Sequence, residues 1–117
     1  MRRDEEGAGH RRLRVQSLIR EELEALLRDD VSDPDLAAVR LAAVALSVDY
    51  RHLKVHFVVQ VPAPASDPAG DARARRTAQA ALERATAFFR ARLAEAIEMK
   101  RLPELRFVCD GVVPSPA

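Results

Sequence analysis

One stretch limits the fold more than any other. From Asp71 to Leu102 the chain reads DARARRTAQAALERATAFFRARLAEAIEMKRL, with no glycine and no proline. Its residues are mostly good helix formers. One straight helix over residues 71–101 would be about 45 Å long, whereas a compact domain of this size is roughly 35 Å across. Phase gives a second argument. Ala74, Ala78, Ala81, Leu82, Ala85 and Phe89 share one helical face. An unbroken helix would bring Arg92 into line with Ala74 and Lys100 into line with Leu82, setting two cations on the core stripe, where unpaired charge is costly. Leu93, Ala96 and Ile97 meanwhile centre on a different angle. The sequence therefore predicts two helices with a change of axis near residues 85–89. Arg73, Arg76 and Arg84 form a basic stripe on the outer side of the first.

The segments around this region set the class. From about His10, Val15, Leu18, Ile19, Leu23, Leu26 and Leu27 recur at helical spacing, and Pro34 in SDPDL ends that helix. VRLAAVALSVDYRHLKVHFVVQV at 39–61 reads as two strands joined at DYRH: Ala42, Val44, Leu46 and Val48 alternate in the first, Leu53, Val55, Phe57, Val59 and Val61 in the second. PAPASDPAG at 62–70 is a loop. LPELRFVCD supplies a shorter third strand. The predicted class is α+β, in the order αββααβ, with helices on one face of a three-stranded sheet. Residues 1–9 are expected as a flexible tail, 10–110 as the domain and 111–117 as a short C-terminal tail.

Composition narrows the functional classes. The 117 residues are 48% hydrophobic and 32% charged, a balance typical of soluble globular domains. The lone Cys109 excludes an internal disulfide and a cysteine-based zinc site. MRRDEEGAGHRR lacks the apolar core of a signal peptide, and no apolar run is long enough to span a membrane, so a cytoplasmic protein is expected. His10, His52 and His56 are scattered and hold no metal-ligand spacing. Asp33 and Asp35 flank a proline, where capping is their ordinary role, and no nucleophile elbow or phosphate-cradling glycine loop is present. The sequence predicts no catalytic residues, no metal, no cofactor and no small-molecule substrate: a protein that is not an enzyme.

The net charge is only +1, but its distribution is uneven. Residues 1–14 carry net +2, residues 15–70 net −4, residues 71–101 net +4 and the last sixteen net −1. Positive charge thus gathers at the N-terminal arm and on the paired helices, as expected for nucleic-acid contact.

Three segments, LLRDDVSDPDL, VALSVDYRHLKVHFVV and FFRARLAEAIEMKRLPELRFVCD, together resemble the ribosome-binding factor A family over roughly Leu13 to Asp110. The last segment, with Met99, Arg101, Pro103, Glu104, Leu105, Phe107 and Asp110, is among the most specific parts. The resemblance implies a KH-like domain of type II. It also implies a monomeric factor that binds the free or immature 30S subunit and its 16S rRNA, assists late maturation and 5′-end processing, and supports growth in the cold. Ordinary KH domains clamp nucleotides with a glycine-rich loop; this family has an Ala-x-Gly kink between the helices instead. The matching triplet here is Ala85, Thr86 and Ala87, so this chain must bend without the glycine, held by packing of Phe89 and Leu93.

The candidate RNA-binding residues are Arg11, Arg12 and Arg14 on the arm, Arg73, Arg76 and Arg84 on the first paired helix, Thr86, Arg90 and Arg92 past the bend, and Lys100 and Arg101 beyond. Arg75 lies between faces. Phe88 and Phe89 could stack on bases, but the stripe assigns Phe89 to the core. An alternative stands beside this reading: a KH-like interaction module whose arginine-rich helices meet an acidic protein.

Overall fold

The computed structural model describes residues 2–62 and 67–115. Helix α1 spans Arg2–Ala25 and widens into a π turn at Leu26–Asp30. Ile19, Leu23 and Leu26 line its buried face, while Leu18, placed on the apolar stripe by its spacing, is exposed. Helical backbone takes in residues 2–9, where the sequence predicts a tail. Arg and Glu favour helix, and a glycine in a helix costs only about 1 kcal/mol. A 3-10 turn at Pro34–Leu36 follows, capped by the Asp33 carboxylate, which accepts from the Asp35 N–H at 3.0 Å.

Strands β1 (Val39–Leu46) and β2 (His52–Val61) pair antiparallel. The ladder slips between Leu41 and Ala43, and this bulge changes which residues face inward. Val39 is buried before it, Val44 and Leu46 after it. Val48 does not continue the strand; it sits in the connecting turn, 84% exposed. In β2 the predicted alternation holds, and Leu53, Val55, Phe57 and Val59 are buried.

Helix α2 (Pro68–Arg84) begins earlier than the residue pattern suggests, because two start signals cooperate. Asp67 caps it by accepting from the Gly70 N–H at 2.6 Å, and Pro68 occupies the first position. Helix α3 (Thr86–Ala96) follows directly. It ends before the basic pair Lys100 and Arg101, since Ile97 is extended (φ −129°, ψ 127°). Pro103 then favours extended backbone at Leu102.

Strand β3 (Glu104–Pro114) is longer than LPELRFVCD alone suggests and takes in the first residues of the expected tail. It pairs parallel to β2, so the sheet order is β1-β2-β3. A parallel neighbour requires a long crossover, and α2 with α3 supplies it. Opposite Phe57 and Val58 the register skips Asp110. Gly111 follows at φ +157°, where an added Cβ would meet nothing within 4 Å; the backbone angle, not space, favours glycine there.

The predicted break between the helices is present at a single residue. Ala85 has φ −86° and ψ −1°, off the helical ψ of about −42°. No residue at the kink has positive φ; among the described residues that angle occurs only at Tyr50 and Gly111. Ala87 therefore needs none of glycine's freedom. Thr86 contributes to the bend: its hydroxyl donates to the Leu82 carbonyl at 3.1 Å, a back-bond to residue i−4 of the kind that bends helices. Phe89 and Leu93, each 1% exposed, restart the apolar stripe beyond the break. The Phe89 ring lies 6.2 Å from that of Phe107 on β3.

The molecule measures 54 × 28 × 23 Å. With one axis longer than the roughly 35 Å expected of a compact domain, length alone does not forbid a straight helix, and the phase of the stripe carries that inference. Phe89→Ala, which empties the junction of α3 with β3, should lower the free energy of unfolding by about 3–5 kcal/mol. Urea titration followed by circular dichroism measures this.

Candidate nucleic-acid interface

The structure sorts the predicted cations into two groups. Two of them tie elements of the fold together. Arg12 Nη1 donates to the Leu46 carbonyl at 2.9 Å, and the Leu46 N–H donates to Gln16 Oε1 at 3.0 Å. Together these bonds tie α1 to the end of β1. Arg84, at the last turn of α2, reaches Asp33 at 3.1 Å and Asp35 at 3.2 Å. Its guanidinium thus bridges the 3-10 turn and the kink. The Asp33 carboxyl is held below the usual carboxylate range, first by the Asp35 N–H and then by Arg84. The Arg84 guanidinium is correspondingly raised, chiefly by Asp33.

The remaining candidates point outward. Arg11 and Arg14 are exposed on α1, Arg73 and Arg76 on α2, Arg90 on α3, and Lys100 and Arg101 on the connection to β3. Arg92 lies 5.9 Å from the Phe88 ring centre and 3.9 Å from Glu95. Phe88 is partly exposed, whereas Phe89 belongs to the core. Of the kink triplet, Ala85 and Thr86 are half-buried and Ala87 is exposed.

Two surface clefts gather several of these groups. A cleft of about 1030 Å³ is walled by Arg11 and Arg12 of α1, by the β1–β2 turn, and by Lys100 and Arg101. A second, of about 590 Å³, lies beside the kink and is lined by Thr86 and Arg90 together with His52 and Glu104. Arg51 and Arg101 line both. The arm and the kink, far apart in sequence, are therefore neighbours along one basic surface. Arg73 and Arg76 line neither cleft.

Arg51 and Tyr50 escaped the sequence reading, which treated DYRH only as a turn. The turn is tightly tied: Ser47 Oγ donates to Asp49 Oδ1 at 2.7 Å, the Arg51 N–H donates to the same oxygen at 3.0 Å, and the His52 N–H donates to Ser47 Oγ at 3.0 Å. The Asp49 carboxyl is held low, mainly by Ser47 and then by the Arg51 N–H. Tyr50 sits at φ 64°, uncommon for a side chain of its size. The Arg51 carbonyl accepts from the Glu104 N–H at 2.8 Å, which fixes the turn against the start of β3.

Among the described residues no cluster of His, Cys, Asp or Glu could hold a metal ion, and no helix is long and apolar enough to cross a membrane. The arrangement offers fixed positive charge on a concave surface, which suits binding of an anionic polymer.

Comparison with known proteins agrees with this geometry. The family model described as Ribosome-binding factor A matches residues 11–115. The Heliobacterium modesticaldum protein named Ribosome-binding factor A is 42% identical over 103 residues, covering 88% of this chain and 78% of that protein. The Dechloromonas aromatica protein of the same name is 32% identical, covering 86% and 73%. The crystal structure of ribosome-binding factor A from Thermus thermophilus superposes with a TM-score of 0.58 at 28% identity, covering 86% of this chain and 92% of that one. The fold is KH-like, as the order of elements suggests.

The Arg84 bridge has a testable pH dependence. A carboxyl held low in the folded state stabilises the fold above the unfolded value of about 4, and that contribution is lost as pH falls through the folded value. Wild type should exceed Arg84→Gln in urea midpoint at pH 7, and the gap should close toward pH 3. A gap that stays constant over this range would exclude the carboxylates as the source.

Proposed function

The chain belongs to the ribosome-binding factor A family, and from that premise we propose that it binds the free or immature 30S subunit through its 16S rRNA. In this reading it assists late maturation and 5′-end processing of that rRNA and supports growth in the cold. It acts in the cytoplasm as a monomer, by binding and not by catalysis. The observation that carries the reading is the family match, which extends over both paired helices, the kink and the basic clefts.

Binding follows from charge. Each Lys or Arg set against a phosphate releases condensed counterions, which gives affinity that is independent of base sequence and falls steeply with salt. Arg11, Arg14, Arg73, Arg76, Arg90, Arg92, Lys100 and Arg101 are the residues proposed to make these contacts. Thr86 lines the kink-side cleft, with its hydroxyl directed to the Leu82 carbonyl. Arg12 serves this surface by holding one wall through its bond to Leu46, and Arg84 ties the end of α2, next to the kink, to Asp33 and Asp35.

Sedimentation of cell extract through sucrose gradients tests the proposal. The protein should travel with small subunits and not with assembled ribosomes, and should leave them as salt rises. Reversing Arg73, Arg76 and Arg90 to glutamate should reduce this association at least tenfold at low salt, with Arg84 left intact so that the fold is undisturbed. Absence of any association with small subunits or their rRNA at low salt would remove the reading.

A further inference from the structure

We infer that the two clefts form one groove for a single strand of RNA, with Arg51 and Arg101 as the phosphate-binding ridge at its middle. The inference rests on the ribosome reading above and adds to it a site, a ligand form and two positioning features. Arg51 and Arg101 are the residues common to both clefts. Arg11 and Lys100 extend the positive charge to one side, and Arg90 extends it to the other.

Charge complementarity identifies the occupant as an anionic chain. The acids lining the clefts offset only part of this charge. Asp49 and Glu98 stand against Arg11, Arg12, Arg51, Lys100 and Arg101 in the larger cleft, and Glu104 against Arg51, Arg90 and Arg101 in the smaller. Among the described residues no acid forms an ion pair with Arg11, Arg51, Arg90, Lys100 or Arg101.

The shape favours one strand over a duplex. The larger cleft is bounded on both sides, by α1 and by the connection from α3 to β3. Tyr50 and the exposed Val48 on the turn give apolar surface against which an unstacked base can rest. A duplex keeps its bases stacked inside and has none free to rest on that surface.

The ridge is also preorganised. Arg51 is anchored through both of its backbone polar groups: its N–H donates to the Asp49 carboxylate and its carbonyl accepts from the Glu104 N–H. Little backbone order remains to be lost when a phosphate arrives, which favours affinity. Arg101 is held near it by the short path from the buried Ile97 to the buried Pro103.

The test compares the wild type with Arg51→Glu/Arg101→Glu and with a single charge-reversal control, Arg106→Glu, on the open face of the sheet. A fluorescent ten-nucleotide uridine oligomer, with a duplex of equal length as competitor, is titrated by anisotropy at several salt concentrations. The double variant should bind the oligomer at least tenfold more weakly than wild type. Its slope of log affinity against log salt should be shallower by about 1.4, since each single-strand phosphate contact contributes about 0.7. Arg106→Glu should stay within about twofold, and thermal unfolding should show all three proteins folded. Failure of the wild type to bind the oligomer at low salt, equal losses in the double variant and the control, or duplex competing as well as single strand would each overturn the groove. Gradient sedimentation separates the two levels. If wild type and the double variant associate equally with small subunits, the groove is refuted and the ribosome reading stands. If wild type does not associate at all, the ribosome reading itself falls.

Discussion

Phe89 is the contact on which the architecture turns. It begins the inward face of α3 one turn after the break at Ala85, and its ring meets Phe107 on β3. The chain must leave β2, cross the sheet and return parallel to it. A straight helix would set Arg92 and Lys100 on the core stripe. Seating Phe89 and Leu93 re-aims that stripe, and the Thr86 hydroxyl on the Leu82 carbonyl eases the bend. The broken helix is thus offset by aromatic burial, worth roughly 1.5–3 kcal/mol per side chain, and needs no special backbone freedom.

Arginine plays two parts here. At Arg12 and Arg84 the planar guanidinium joins elements: it reaches a strand-end carbonyl in one case and two carboxylates in the other. Arg11, Arg51, Arg90 and Arg101 instead stand exposed along one connected surface. Arg12 lines the larger cleft, so the outward charges there depend on its bond, whereas Arg84 acts through the kink that it precedes. Substitutions at the two kinds of site therefore differ in kind. One loosens the walls, while the other alters only the charge that the walls present.

What could be read from the sequence followed periodicity. The alternation of Leu53, Val55, Phe57 and Val59 and the phase change after Ala85 both survive in the structure. Where single residues override the pattern, the reading slips. In β1 Val44 and Leu46 face inward as their alternation indicates, but the bulge between Leu41 and Ala43 puts Val39 inward out of phase with them, and Val48 is left in a turn. Asp67 and Pro68 start α2 within a stretch that reads as loop. The charge clusters were legible as clusters, but their division was not. Nothing in the spacing of Arg84 announces Asp33 and Asp35, some fifty residues away. Arg51 was hidden because a turn residue has no periodic partner. Its position emerges only when the hairpin, the kink and the last connection are brought together.

The parallel pairing of β3 with β2 also bears on the order in which the molecule is built. β1 and β2 are joined by a short turn and can pair early, whereas β3 reaches β2 only after α2 and α3 have been traversed. Contacts so distant in sequence close slowly, and during synthesis β3 leaves the ribosome after the other described elements. The bond from the Glu104 N–H to the Arg51 carbonyl belongs to that final docking. The ridge between the clefts is therefore completed last. A nascent or partly unfolded chain can hold the hairpin and α1 and still lack this ridge, so the proposed groove is complete only in molecules whose β3 has docked.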